Sequence, residues 1–315
     1  RIYTPVGEML PGMAYLVRRL LENTSNEGWL VQAGEGLSAE QLLADPVTQG
    51  GDAQAPARQT RQIAHGDVNQ PTPFANEPLV HPHRIASQQR WDRALDELKT
   101  RLPLQIKPCI NGVYEDGEDA PWTRENPNQI DQDLAHVQGA SPHQAERSMA
   151  LAHGAFPSWS QRPVSERAQL LFNLAEQLRK RRDQATALIC LEVGKPLPEA
   201  DADVAEAIDF CEYYARQALS LQSDRAMQGN IPGESNTLRY TARGAAVVIA
   251  PWNFPLAILT GMTAAAAVVG NTVIMKPAEQ SSAIAELLMR AIQDAGFPKE
   301  VIQFVPGRGE TIGAQ

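Results

Sequence analysis

Two prolines bracket an asparagine in the run Pro251-Trp252-Asn253-Phe254-Pro255. Proline fixes its own φ and restricts the residue before it, so Asn253 is predicted to be held stiffly. Its amide can donate to a developing oxyanion; an Asx-type turn residue is the alternative. Further on, Lys276 is followed by Glu279. A cation and a carboxylate so placed suit ribose hydroxyls or a phosphate, and a surface ion pair of little energy is the alternative. Gly307, Gly309 and Gly313 form a glycine cluster, a weak signal alone. Its position ahead of a helix start suits a phosphate approach. Near the other end, Tyr15, Arg18, Arg19 and Glu22 fall on one side of a helix. They read either as a solvated face with an i,i+4 ion pair, or as an arginine pair gripping a small carboxylate under a stacked tyrosine.

Other reactive residues are sparse. Cys109, Cys190 and Cys211 are an odd set with neither disulfide nor metal-ligand spacing, which predicts a reducing compartment such as a bacterial cytosol. Cys190 and Cys211 fall in helical sequence and read as small buried hydrophobes. His81 and His83 are the one close histidine pair, without a cysteine or carboxylate partner, so no metal site is predicted.

The elements that must position these groups follow from periodicity. After a short strand at 2–3 and a helix at about 13–23, residues 31–80 are rich in Pro, Gln, Ala, Gly and Asp and read as a connecting segment. A helix is predicted from 82 to about 98. Residues 104–113 read as extended chain, with Asn111-Gly112 as a hairpin turn. Helices are predicted at 142–157, 163–182, 183–191 and 200–219, the third broken by Gly194-Lys195-Pro196. From 237 the period changes. A short strand at 237–240 precedes a buried strand at 245–250, a helix at 256–269, a strand at 272–275, a helix at 281–295 and a strand at 301–305. Strands alternating with crossover helices predict a Rossmann-type parallel sheet, with ligands beyond its carboxyl ends.

Composition bounds the partners. A 43% apolar, 21% charged chain of 315 residues is globular, and a net charge of −9 argues against nucleic acid. The longest apolar run is too short to span a bilayer. The chain starts without methionine one residue before a strand and stops at Gln315 where a helix begins, so an internal fragment is expected.

Pro251-Trp252-Asn253-Phe254-Pro255, Lys276-Pro277-Ala278-Glu279 and Gly307-x-Gly309-x-x-x-Gly313, on consecutive strands, resemble the cofactor motifs of the aldehyde dehydrogenase superfamily. Glu192-x-Gly194-Lys195-Pro196 is similar to a further superfamily feature. The N-terminal Tyr15-x-x-Arg18-Arg19 resembles the end of the flavin-dependent proline dehydrogenase barrel of the bifunctional proline utilisation A family. The resemblance implies an α/β fold with three parts. These are the last strand and helix of a (β/α)8 barrel at 1–30, a connecting segment at 31–103, and the N-terminal part of an aldehyde dehydrogenase domain at 104–315, its NAD-binding half from about 237.

What the resemblance implies for function is proline catabolism: FAD-dependent proline oxidation, then NAD-dependent oxidation of L-glutamate γ-semialdehyde to glutamate. It implies that Asn253 shares an oxyanion hole and that Ile249, Pro251, Trp252, Lys276, Glu279, Gly309 and Gly313 meet NAD. It implies that Tyr15, Arg18 and Arg19 hold the proline carboxylate, with Glu206, Phe210 and Phe254 as candidates for the aldehyde pocket. The family's nucleophilic cysteine and general base normally lie beyond position 315, so the fragment alone is expected to be inactive. The intact protein is expected to be a cytoplasmic homo-oligomer, with quinone or peripheral membrane contact open to it. A long monofunctional semialdehyde dehydrogenase, or a non-catalytic module on the same fold, are the alternatives.

Overall fold

The computed structural model describes residues 66–68, 72–221, 225–227, 231 and 233–313. Tyr15, Arg18, Arg19 and the strand and helix expected over the first 30 residues lie outside the described residues.

A layer of helices carries the sheet. Helix α1 (Ile85–Lys99) packs on α4 (Arg182–Val193), while α3 (Val164–Lys180) and α5 (Leu197–Leu221) pack on one another. Leu171, Leu174 and Leu178 of α3 recur at helical spacing and are fully buried or nearly so. The extended stretch from Thr72 to Val80 is tied to this layer by charge. Arg179 bridges Glu77 and Glu212, and Arg182 bridges Glu77 and Asp201, at 2.7–3.2 Å. Both arginines are mostly buried, and each is held by two carboxylates, the pairing that a buried charge requires.

Helix α2 (Pro142–Gln161) starts on a capping box, Ser141 with Gln144. It was expected to stop at Pro157 and instead continues for another turn with Pro157 inside it. The downstream turn is held from outside. Trp159 is buried and its Nε1–H donates to Ala267 O at 3.1 Å. Buried Arg167 donates to the terminal carbonyls of Trp159 and Ser160. These bonds offset the donor that proline lacks.

Strands β1 (Leu104–Ile106), β5 (Gln129–Val137) and β4 (Trp122–Asn126) form one sheet in the order β1-β5-β4. The β4–β5 hairpin has no counterpart in the expected elements. The second sheet runs β3-β2-β10-β9-β8, from β2 (Cys109–Ile110), β3 (Val113–Tyr114), β8 (Ala245–Ile249), β9 (Thr272–Lys276) and β10 (Ile302–Phe304). β8, β9 and β10 are parallel, as expected. Helices α6 (Ala257–Val268) and α7 (Ser282–Asp294) connect them. The sheet is mixed rather than wholly parallel, because β2 adds antiparallel to β10. The β2–β3 hairpin turns on Asn111 (φ 54°) and Gly112 (φ 75°), the pair of left-handed residues a two-residue turn needs.

The short strand expected at 237–240 is β7 (Asn236–Leu238), which pairs with β6 (Arg225–Met227) in a separate ribbon. One expectation about the strands does not hold. β8 is not buried on both faces: Val247 is 48% and Ile249 60% exposed while Val248 between them is buried, so one face of the strand is uncovered.

Candidate functional site

β8 and β9 pair with Ile249 opposite Lys276, so the two strand ends are level. A cavity of about 520 Å³ opens at these ends. The sheet contributes Ile249, Lys276 and Val305, and α2 contributes Glu146, Met149 and His153. Gly313, just past the short helix α8 (Gly309–Ile312), completes the wall. Three of the predicted cofactor residues, Ile249, Lys276 and Gly313, therefore share one apolar-walled space.

Lys276 is only 9% exposed, and its Nζ donates to Pro277 O at 3.2 Å. Burial pushes its ammonium down from the ordinary value, and the Glu279 carboxylate opposes that shift. No ion pair joins the two among the described residues, so the surface-pair alternative is not formed. Glu279 instead accepts the N–H of Gly309 at 2.9 Å. That bond ties the loop after β9 to the glycine loop after β10. A Cβ on Gly313 would lie 2.3 Å from Gly309 O, and one on Gly307 2.5 Å from Ile312 Cδ1. At Gly313 a side chain would meet backbone and is excluded, whereas at Gly307 it would displace the end of the Ile312 side chain.

The first turns of both crossover helices are already occupied. Glu192, at the end of α4, is fully buried and accepts Ala283 N–H at 2.7 Å and Ile284 N–H at 2.9 Å, in α7. Burial raises its carboxyl to about 7, against those two bonds. Asp203 of α5 accepts Ala257 N–H of α6 at 2.7 Å. An anion seat at a helix N-terminus is filled in both helices by protein carboxylates.

The loop between β8 and α6 presents Pro251, Trp252, Asn253 and Phe254 to solvent, with Pro255 buried. These residues rim the cavity rather than line it. The Asn253 side chain makes no hydrogen bond to a described residue, so no Asx turn is formed and its amide is open to a ligand. The predicted aldehyde-pocket residues gather on the other side of this loop. Phe254 lies beneath Lys195 Nζ, 3.9 Å from the ring centroid. Phe210 stacks on Tyr214 at 5.7 Å and presses on Gly261 of α6, where a Cβ would come within 2.8 Å of its ring. Glu206, one turn before Phe210, is exposed, and its carboxyl is raised by burial first and then by Asp203.

None of the three cysteines is a nucleophile here. Burial pushes the Cys109 thiol up to about 11 and raises Cys190 and Cys211 as well, so all three are thiols at neutral pH. No helix among the described residues is long and apolar enough to cross a membrane.

Residues 114–315 match the model of the aldehyde dehydrogenase family. The chain belongs to the aldehyde dehydrogenase family. Residues 1–32 match the proline dehydrogenase family as well. Among relatives of this aldehyde dehydrogenase chain, 1-pyrroline-5-carboxylate dehydrogenase 2 of Bacillus subtilis is 38% identical over 242 residues, covering 77% of this chain and 47% of the relative. The 1-pyrroline-5-carboxylate dehydrogenase of Bacillus mycoides is 43% identical over 240 residues, 76% of this chain and 46% of its own. The crystal structure of proline utilization A from Bdellovibrio bacteriovorus is 44% identical with a TM-score of 0.74, covering 99% of this chain and 31% of that one. A Thermus 1-pyrroline-5-carboxylate dehydrogenase with bound NAD is 38% identical with a TM-score of 0.74, covering 77% and 47%. The chain spans about half the length of the curated relatives it matches.

The α2 wall of the cavity was missed by sequence reading. Its signal was available: Glu146, Met149 and His153 repeat at three and four residues along a helix that was itself expected. Lys195 was named only as part of the Glu192-x-Gly194-Lys195-Pro196 motif, and Asp203 was missed because it looks like one more acidic residue of a helix.

Proposed function

We propose that this chain is the NAD-binding portion of a longer protein that oxidises L-glutamate γ-semialdehyde to L-glutamate. One observation carries the reading: the strand-end cavity joins Ile249, buried Lys276 and Gly313 beside an exposed Asn253 with an open amide. Apolar walls with one cation and a side-chain-free glycine approach fit a dinucleotide, and the NAD-bound Thermus relative supports that cofactor. Lys276 and Glu279 would hold ribose hydroxyls, Gly309 and Gly313 would let the backbone approach, and Ile249, Pro251 and Trp252 would line the cleft. When bound, NAD supplies the hydride acceptor.

The residues of this chain act on the aldehyde. The Asn253 amide donates to the aldehyde oxygen as negative charge develops there, while a cysteine thiolate attacks the carbonyl carbon. None of the three thiols here is suited to that role, so the nucleophile is supplied outside these residues. Phe254, Phe210 and Glu206 border the substrate on the α5 side.

In the longer protein, the barrel end at 1–30 belongs to an FAD-dependent proline dehydrogenase, with Tyr15, Arg18 and Arg19 on the proline carboxylate. The match of residues 1–32 supports this. The connecting segment at 31–103 would precede the dehydrogenase domain. On the resemblance alone, the intact protein is a cytoplasmic homo-oligomer with quinone or peripheral membrane contact open to it.

The test has two arms. Calorimetry on the 315-residue chain should show NAD binding that weakens in Lys276→Met. The longer gene product should form NADH with pyrroline-5-carboxylate. Absence of both NAD binding by the chain and NADH formation by the longer protein would overturn the reading.

A further inference from the structure

Between α4 and α5 the motif Glu192-x-Gly194-Lys195-Pro196 places a lysine behind the Pro251–Pro255 loop, against Phe254. Gly194 closes α4 in the left-handed conformation, φ 72°, and turns the chain so that Lys195 points back toward α6. Its Nζ lies 2.8 Å from Asp203 Oδ2. The Lys195 side chain is 14% exposed and that of Asp203 is not exposed at all. The other oxygen of the same carboxylate accepts Ala257 N–H at 2.7 Å, two residues after Pro255. The ammonium also sits 3.9 Å from the centroid of the Phe254 ring. One cation thus holds the Pro251–Pro255 loop at two points: at its side chain by cation–π attraction, and at its exit through the Asp203 cap.

We propose that Lys195 is a positioning residue that fixes the Pro251–Pro255 loop and with it the orientation of Asn253. The inference rests on the proposed role of Asn253 for its catalytic consequence, but not for its structural part. The physical case is one of rigidity. Pro251, Trp252, Asn253 and Phe254 are all exposed, and Asn253 bonds to no described side chain or backbone group. The loop's own ties are few: Ile258 N–H donates to Phe254 O at 3.2 Å and the flanking prolines limit the backbone, which leaves the Lys195 contacts as the side-chain clamp on the loop. A cation that is mostly withdrawn from water makes both contacts stronger than exposed ones would be. Glu206 feels the same ammonium, which offsets part of the rise that burial and then Asp203 impose on its carboxyl. Lys195 therefore links the loop to the candidate aldehyde pocket electrostatically.

The experiment compares Lys195→Met, which keeps the methylene stem, with Lys195→Arg, which keeps the charge. Hydrogen exchange of the 315-residue chain is followed peptide by peptide. In Lys195→Met, exchange across 252–258 should rise by on the order of tenfold, with residues 283–292 of α7 unchanged. Lys195→Arg should restore most of the protection. In the longer protein, Lys195→Met should lower kcat for semialdehyde oxidation by about tenfold or more and leave the KM for NAD unchanged, and Lys195→Arg should recover kcat. Unchanged exchange across 252–258, or a rise spread evenly over α7 as well, would overturn the proposal. So would a Lys195→Met enzyme with full kcat. If the longer wild-type protein does not oxidise the aldehyde, the function reading fails while the exchange result still decides the clamp.

Discussion

Replacing Glu192 by glutamine should reshape the dependence of stability on pH. In the fold this carboxyl is fully buried and sits at about 7; in the unfolded chain it returns to an ordinary 4.5. The folded state therefore binds the proton more tightly, and stability contributed by the protonated form is fully present below about pH 4.5. It is lost as pH rises through about 7. At about 1.4 kcal/mol per pH unit, the gap between those values amounts to about 3 kcal/mol. Glutamine is close to isosteric, stays neutral throughout, and can still accept one of the two N–H bonds from Ala283 and Ile284. Urea unfolding at pH 5, 6, 7 and 8, read by tryptophan fluorescence, should show the Glu192→Gln protein gaining on the wild type by about 2–3 kcal/mol between the ends of that range, since part of the full effect lies below pH 5. A difference that stays constant with pH would refute the reasoning. A wild type that gains on the variant as pH rises would show that the two N–H bonds and the α7 dipole outweigh burial.

Other perturbations follow from the site and the core. Lys276→Met should weaken NAD binding to the chain by about tenfold, the worth of one charge-assisted hydrogen bond, as read by calorimetry. In the longer protein Asn253→Ala should lower kcat by more than about tenfold; single-turnover rates showing chemistry to be limiting and unchanged would remove Asn253 from the oxyanion role. Leu171→Ala, at a fully buried position on α3, should cost about 2–5 kcal/mol in chemical denaturation.

Much of this was legible in the residue pattern, for identifiable reasons. Strand-length apolar runs separated by helices of crossover length point to the parallel order of β8, β9 and β10, and Asn111-Gly112 announces its turn by requiring two left-handed residues. The β4–β5 hairpin was hidden because its exposed residues, among them Thr123, Glu125, Gln129 and Asp131, break up any apolar run. Pro157 misled because local propensity cannot register Arg167 and Trp159, whose bonds hold the far turn of α2. The site divided in the same way. The Pro251–Pro255, Lys276 and glycine motifs were visible as local strings. The carboxylates that seat the helices were not, since Asp203 acts across 54 residues and Glu192 across 91.

That last feature bears on where the molecule can be cut. The nucleotide-binding half could be taken to start near 237, where the period of the sequence changes. Yet its two crossover helices are capped by acids that belong to α4 and α5. Excising residues 237–315 would leave four structural commitments unmet: the N–H groups of Ala257, Ala283 and Ile284, and the cation above Phe254. Modularity in this chain therefore does not follow the sheet, and the smallest portable piece that retains the strand-end cavity must carry the upstream helices with it.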